Sequence, residues 1–136
     1  MAWTTPKTNW TASDYFNYSD FNRIKNNIVY LAAMPNPAVS ITAMGNDRTV
    51  SSFPYADDFN KFQRNLFTIG EAVGIGYHNF PMFYINGPTP TYANLNQIES
   101  FILTLYNELS GSAVYAVDSN GLYGVVNGVK AKGVGS

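Results

Sequence analysis

The sequence contains no cysteine, a single histidine and few charged residues. Charged side chains make up 12% of its 136 residues, and the formal net charge is −1. Without cysteine the chain forms no disulfide and has no thiolate chemistry, and one histidine cannot build a His/Cys metal site. The eight lysines and arginines are scattered, so no basic stripe offers a footprint for phosphates. We therefore expect no metal, no cofactor and no nucleic-acid partner.

Long apolar runs are also missing. No segment approaches the ~18 consecutive apolar residues of a membrane span, so no membrane partner is expected. Residues 1–10 lack the basic end and apolar run of a secretory signal, which predicts synthesis in the cytoplasm without a signal peptide. The length fits one domain that buries roughly two-thirds of its unfolded surface.

A repeated phrase is the most informative feature that is present. An Asn and four apolar residues follow Tyr18 and Tyr92 at the same offsets, and a looser copy follows Tyr55. The apolar residues recur at intervals of three and four, which places them on one face of a helix. Three copies therefore predict three similar amphipathic helices.

The predicted helices span about 19–34, 57–73 and 94–109. Ser19 and Asp57 are the candidate N-caps of the first two. Each apolar stripe runs for only about two heptads, which favours packing of the helices against one another within one domain over an independent coiled coil.

Two details refine this arrangement. The third helix carries Phe101, Leu103 and Tyr106 off its stripe, which predicts that it lies at the centre of the bundle. Gly70, inside the second helix, costs roughly 1 kcal/mol relative to alanine. Either that helix thins there or another backbone approaches it closely. Gly74 is expected to end the helix.

The predicted fold class is mainly α (α+β), with aromatic-rich connections and a short C-terminal β-hairpin. Residues 1–111 form the helical domain and begin with an extended arm that wraps the bundle. Residues 38–53 form either a hairpin or an irregular loop. The long connection 77–91 is either functional or closes the open end of the bundle.

Residues 112–136 form a β-rich tail. Asn127-Gly128 between apolar runs is a strong hairpin signal. Two or three short strands are not stable alone in water, so we expect the tail to be an assembly interface. Its candidate interface residues are Val114, Tyr115, Val117, Leu122, Tyr123, Val125, Val126 and Val129.

The inventory for catalysis is poor, and the chain is predicted not to be an enzyme. His78 is the only candidate base, and no nucleophile elbow is present. Asp57 and the aspartate after it are better explained as a helix cap than as a glycosidase pair. The glutamates expected on helix surfaces are Glu71, Glu99 and Glu108.

Asn22, Asn60 and Asn96 occupy the same position in the three copies, one residue after the first apolar residue. A short polar side chain in the first helical turn can accept from a free N–H group or bond the entering strand. We expect a local architectural role. A polar contact between helices is the alternative.

The segment 8–31 resembles a segment of tail, baseplate and tail-fibre-associated proteins of phages and prophages of Gram-positive bacteria. The shared pattern is a Trp (Trp10), a short polar gap and the phrase Asp20-Phe21-Asn22-Arg23-Ile24-Lys25-Asn26-Asn27-Ile28. The resemblance implies a multicopy virion structural protein of the tail, with no cofactor and no active site. The chain lacks the collagen-like or extended β-fibre region of longer fibre proteins, so an adaptor, baseplate or decorating subunit fits its length better.

The leading hypothesis is therefore a virion protein of the tail apparatus that acts by assembly. Its expected partners are other virion proteins and further copies of itself, in a homo-oligomer. The alternative is a glycan-binding module for host attachment, with a host surface glycan as partner. Its candidate stacking residues are Trp3, Trp10, Tyr84 and Tyr92.

Overall fold

A computed structural model describes residues 3–49, 56–77, 80–85 and 87–111. It contains three α-helices: α1 (Tyr18–Ala33), α2 (Ala56–Val73) and α3 (Tyr92–Gly111). The mainly helical fold with three principal helices is confirmed, and the described residues include no strand. The predicted hairpin in residues 112–136 lies outside the described residues and stays a prediction.

Helix α1 begins one residue earlier than predicted, and its N-cap is Asn17 rather than Ser19. Asn17 Oδ1 accepts from the backbone N–H of Ser19 and Asp20, and the Asp20 carboxylate accepts from the N–H of Asn17. This reciprocal pair is a capping box. Ser19 lies inside the first turn because Asp20, three residues after Asn17, completes the box.

The other two helices also begin earlier than predicted. Asp57 lies in the first turn of α2 and is not its cap, since the helix begins at Ala56. Helix α3 begins at Tyr92, where Thr91 and Asn94 form the capping pair: the N–H of Thr91 donates to Asn94 Oδ1, and the N–H of Asn94 donates to Thr91 Oγ1. Helix α2 ends as predicted at Gly74, whose φ of +83° favours glycine.

The three predicted apolar stripes form the core. Their fully buried members include Phe21, Ile24, Ile28, Leu31, Phe62, Leu66, Ile69, Ile98, Ile102 and Leu105. Each helix contacts the other two, so the prediction of a central third helix is wrong. The off-stripe rings of Phe101 and Tyr106 are covered by the connecting segments instead: Phe101 packs on Tyr77 and Tyr106 on Trp3.

The connecting segments are extended and lie along the helices. The N-terminal arm packs on the bundle as predicted, with Trp3 against it and Trp10 in the core. Residues 38–49 contain no strand and are irregular, although Val39, Ile41 and Met44 pack on the core. The described part of the 38–53 connection is therefore a loop and not a hairpin.

The backbone that follows α2 approaches Gly70 closely. The N–H of Ile75 donates to Gly70 O at 2.8 Å. A Cβ on Gly70 would clash with the carbonyl oxygen of Ile75 and lie 3.2 Å from the Phe101 ring. The predicted alternative of a close backbone approach is confirmed.

Replacing Gly70 by alanine should destabilise the protein, although alanine favours helix by about 1 kcal/mol. Overpacking of this kind costs roughly 1–3 kcal/mol, and the obstacle is backbone rather than a mobile side chain. Urea unfolding followed by circular dichroism measures the change. Glu71→Ala, at the next and exposed position, is the control and should change stability by less than about 0.5 kcal/mol. A stabilised Gly70→Ala protein would contradict the packing described.

Candidate functional site

Asparagines at matched positions of the helices hold the connecting segments by their backbone. Asn22 Nδ2 donates to the carbonyl of Arg48 at 3.0 Å, and the N–H of Arg48 donates to Asn22 Oδ1 at 2.7 Å. Asn60 holds Phe83 in the same way, at 2.7 and 2.8 Å. We call such a pair of bonds to one residue a clamp.

The third clamp joins α3 to the N-terminal arm. Asn96 Nδ2 donates to the carbonyl of Trp10 at 3.1 Å and accepts from its N–H at 2.8 Å. The asparagines of α1 and α2 therefore hold the segment that follows their helix, and that of α3 holds the N-terminal arm. The three clamps close a ring.

A second set of contacts lies five residues further along each helix. Asn27 clamps Thr4 with bonds of 2.9 and 2.8 Å, and Asn65 clamps Thr42 with two bonds of 2.8 Å. Both asparagines are buried. Here each helix holds the segment that precedes it, so every segment is bonded or packed by two helices.

The third helix replaces this second clamp by an aromatic contact. Phe101 occupies the matching position, and its ring lies 4.6 Å from the ring of Tyr77. Burial raises the pKa of Tyr77, so its phenol stays neutral, and it donates to Gln63 Oε1 at 3.4 Å. Tyr77 precedes Phe83 by six residues, as Thr4 precedes Trp10. The three repeats therefore match in position and differ in chemistry.

A third set of buried polar side chains lies between the other two. Lys25 Nζ donates to the carbonyl of Gly45 at 3.3 Å, and Gln63 Nε2 donates to that of Pro81 at 2.6 Å. In α3 the direction reverses, because Glu99 Oε1 accepts from the N–H of Lys7 at 2.9 Å. The first two side chains lie three residues after Asn22 and Asn60 respectively, and Glu99 lies three after Asn96.

Sequence reasoning identified only the first set. The expectation of a local role for Asn22, Asn60 and Asn96 is wrong. Their clamp bonds go neither to the first turn of their own helix nor to the strand that enters it, but to backbone 23 to 86 residues away. The other two sets were missed, although Asn27 and Asn65 recur at the same distance from the first asparagine. That recurrence is the signal that could have found them.

Glu99 is the most constrained polar residue of the described chain. Its carboxylate is fully buried and accepts from the N–H of Lys7, from Trp10 Nε1 at 2.7 Å, and from Arg23 Nε and Nη2 at 2.9 and 2.7 Å. The prediction that it lies on a helix surface is wrong, because the N-terminal arm covers that face of α3. Glu71 and Glu108 are exposed, as predicted.

Arg23 joins this carboxylate to a second one, since Nη1 also donates to Asp20 at 2.8 Å. Burial alone would lower the pKa of Arg23, but the hydrogen bonds and charges of Glu99 and Asp20 outweigh burial and raise it. The guanidinium is therefore always ionised. Replacing such a pair by apolar residues is often neutral, whereas removing one partner is costly.

The four candidate glycan-stacking residues lie in different environments. Trp10 is 4% exposed and its indole N–H is bonded to Glu99, so it is not accessible and cannot be a platform. One face of Trp3 is covered, because it stacks on Tyr106 at 3.9 Å. Tyr84 and Tyr92 are 66% and 49% exposed. Of the four, Tyr84 and Tyr92 thus have exposed side chains on which a sugar could stack.

Tyr84 borders a groove with a volume of about 470 Å³. The residues that line it are Phe16, Ala56, Phe59, Tyr84, Ile85, Gly87, Pro88, Thr89, Pro90 and Leu95. None of them is charged. In the connection 77–91, Tyr77 and Phe83 pack in the core, as expected of a segment that closes the bundle, while Tyr84 and Ile85 face outward. A function of this connection stays a prediction.

Within the described ranges, no three His, Cys, Asp or Glu side chains are placed to hold a metal ion. No helix there is long and apolar enough to span a bilayer. His78 and the candidate interface residues between Val114 and Val129 lie outside the described residues.

No protein-family model, curated protein or solved structure matches this chain.

Asn96→Ala should remove the clamp on Trp10 and leave a backbone N–H and carbonyl without partners. An unsatisfied buried group costs about 1–3 kcal/mol, and chemical denaturation measures the loss. The control is Asn107→Ala, an exposed asparagine on the same helix, which should be nearly neutral. Equal effects of the two substitutions would show that the clamp does not stabilise the fold.

Glu99→Gln should lower the free energy of unfolding by about 3 kcal/mol, the low end of the range for breaking a buried ion pair, because Arg23 keeps Asp20. Glu108→Gln, an exposed change of the same kind on α3, should be silent. Thermal unfolding of both variants at pH 7 checks the difference. A silent Glu99→Gln variant would mean that the carboxylate is not what holds the arm.

Proposed function

We propose that this chain is a structural subunit of a phage tail or baseplate and acts through protein contacts rather than catalysis. One observation carries the proposal. The phrase that resembles phage tail proteins contains the residues that join α1 to the rest of the fold.

The residues of the phrase have distinct architectural roles. Asp20 completes the capping box of α1, and Arg23 pairs with Glu99. Asn22 clamps Arg48, and Asn27 clamps Thr4. Asn26 donates to the carboxylate of Asp47 at 3.0 Å. A phrase with such roles specifies a rigid scaffold. A structural subunit that is present in many copies and has a fixed shape requires such a scaffold.

The groove supports a binding role over a catalytic one. Among the described residues, its lining contains no acid, base or charged side chain, and the hydroxyls there are those of Tyr84 and Thr89. An active site needs a nucleophile, a base or an electrophilic group within reach of the substrate. An uncharged and largely apolar groove is instead suited to a protein surface.

In this proposal the protein is located in the virion tail and is made in the host cytoplasm. Residues 112–136 contribute the contacts with neighbouring subunits or other virion proteins, and the helical domain is their base. The subunit uses no cofactor.

Analysis of particles tests the proposal. Phage or prophage particles from the strain that encodes the chain should contain it in multiple copies, bound to tails rather than to heads. Quantitative mass spectrometry of separated tails and heads gives its location and copy number. Absence from intact particles would overturn the proposed function.

Glycan binding is a second candidate, and the exposure of Tyr84 beside the groove is the observation that favours it. A sugar ring can stack on such a side chain, but the lining offers few hydrogen-bond groups for its hydroxyls. Binding to a glycan array should then be lost in Tyr84→Ala and kept in Tyr15→Ala, since Tyr15 is 89% exposed and outside the lining. Absence of binding by the unaltered protein would exclude this candidate.

A further inference from the structure

The groove lies beside the first turns of α2 and α3. Ala56 is the first residue of α2, and Leu95 lies in the first turn of α3. Pro88 and Pro90 form part of its wall and have no N–H to donate, so an occupant would be held mainly by burial of its side chains. A charged occupant would lose its hydration without finding a charged partner. The chemistry therefore favours an apolar and uncharged chain segment.

The sequence after α3 has this composition. Asp118 is the only charged residue between positions 112 and 129, and the stretch includes Ala113-Val-Tyr-Ala-Val117 and Leu122-Tyr-Gly-Val-Val126. Twenty-five residues follow Gly111. Fully extended, they would reach about 80 Å.

We propose that the groove of one copy binds the C-terminal segment 113–126 of a second copy. This inference deepens the proposed assembly function and rests on it. It names the partner of the groove as another copy of this chain and the contact as head-to-tail.

The groove and the start of the donor segment lie at opposite ends of α3. Leu95 and Gly111 are separated by about 24 Å of helix, at 1.5 Å per residue. A segment that returned to its own groove would have to reverse direction and use about seven extended residues to cover that distance. A segment that continued in the direction of α3 would need no such reversal and could reach the groove of a second copy. Donor and groove then lie at opposite ends of the helix, which gives a heterologous contact that builds rings or filaments.

Sedimentation velocity of the full chain over a range of concentrations gives the first test. The unaltered protein should form species larger than the 15.0 kDa monomer as its concentration rises. Ala56→Arg places a cation in the groove, and Val125→Asp places a charge in the donor segment. Each should weaken self-association by about tenfold or more, because a charge would be buried without a partner. The matched control Ala93→Arg, in the exposed first turn of α3, should assemble normally.

Mixing the two defective variants separates the head-to-tail contact from other arrangements. Ala56→Arg keeps its donor segment and Val125→Asp keeps its groove, so one intact contact remains between them. The mixture should form a 1:1 dimer of about 30 kDa, twice the mass of the chain, and grow no further. Circular dichroism of each variant should match that of the unaltered protein.

Three results would overturn the inference. They are a monomeric unaltered protein at all concentrations, unchanged assembly of Ala56→Arg, and a mixture that stays monomeric. If the unaltered protein associates but the mixture stays monomeric, the groove binds the C-terminal segment of its own chain or no such segment. Absence of the chain from phage tails, with head-to-tail assembly intact in solution, would instead reject the tail function alone.

Discussion

The fold depends on how backbone outside secondary structure satisfies its hydrogen bonds. The arm and the two connections run extended along the helices without forming strands in the described residues, so ladder bonds do not pair their N–H and carbonyl groups. Buried backbone groups without partners are costly. An asparagine amide presents a donor and an acceptor side by side and can pair both groups of one residue. In each repeat one asparagine (Asn22, Asn60 or Asn96) pairs the N–H and the carbonyl of one residue of an extended segment.

The clamps also tie the helices to one another. Each segment contacts two helices, for example Thr42 held by Asn65 of α2 and Arg48 held by Asn22 of α1. A shift of α1 along its axis would break its bonds to two segments, because it holds both Thr4 and Arg48. The polar contacts thus add to the apolar packing in fixing the register of the helices.

The chemistry at equivalent positions is variable, while the geometry is kept. Lys25, Gln63 and Glu99 bond the same part of their segments with a cation, an amide and an anion. Phe101 and Tyr77 replace an asparagine clamp by ring packing. The buried charge of Glu99 is tolerated because Arg23 neutralises it and two further N–H groups donate to it.

The helices could be predicted from the sequence because apolar spacing reports directly which face is buried. Stripe members such as Ile24, Leu66 and Ile102 are fully buried as expected. The extended segments gave no such signal, since a clamp binds backbone and does not require one side chain: Arg48 is charged, whereas Trp10 and Phe83 are aromatic. The burial of Glu99 could not be predicted from the spacing within α3, because it depends on the N-terminal arm.

The candidate site was only partly predictable. Tyr84 and Tyr92 were singled out as aromatic and are exposed, but the same reasoning selected Trp10, which is buried. Composition does not distinguish an aromatic residue that closes a core from one that faces solvent. The groove needs residues from four separate stretches, including Phe16, Phe59 and Leu95, and only the folded chain brings them together.

Native-state hydrogen exchange, followed by NMR, tests the ring of clamps most directly. The amides of Trp10, Arg48 and Phe83 lie outside the helices, yet the clamps predict that they exchange about a hundredfold or more slowly than in an unstructured peptide. Asn60→Ala should accelerate exchange at Phe83 well beyond any change at Trp10 and Arg48. Exchange of the three amides at peptide-like rates in the unaltered protein would contradict the account.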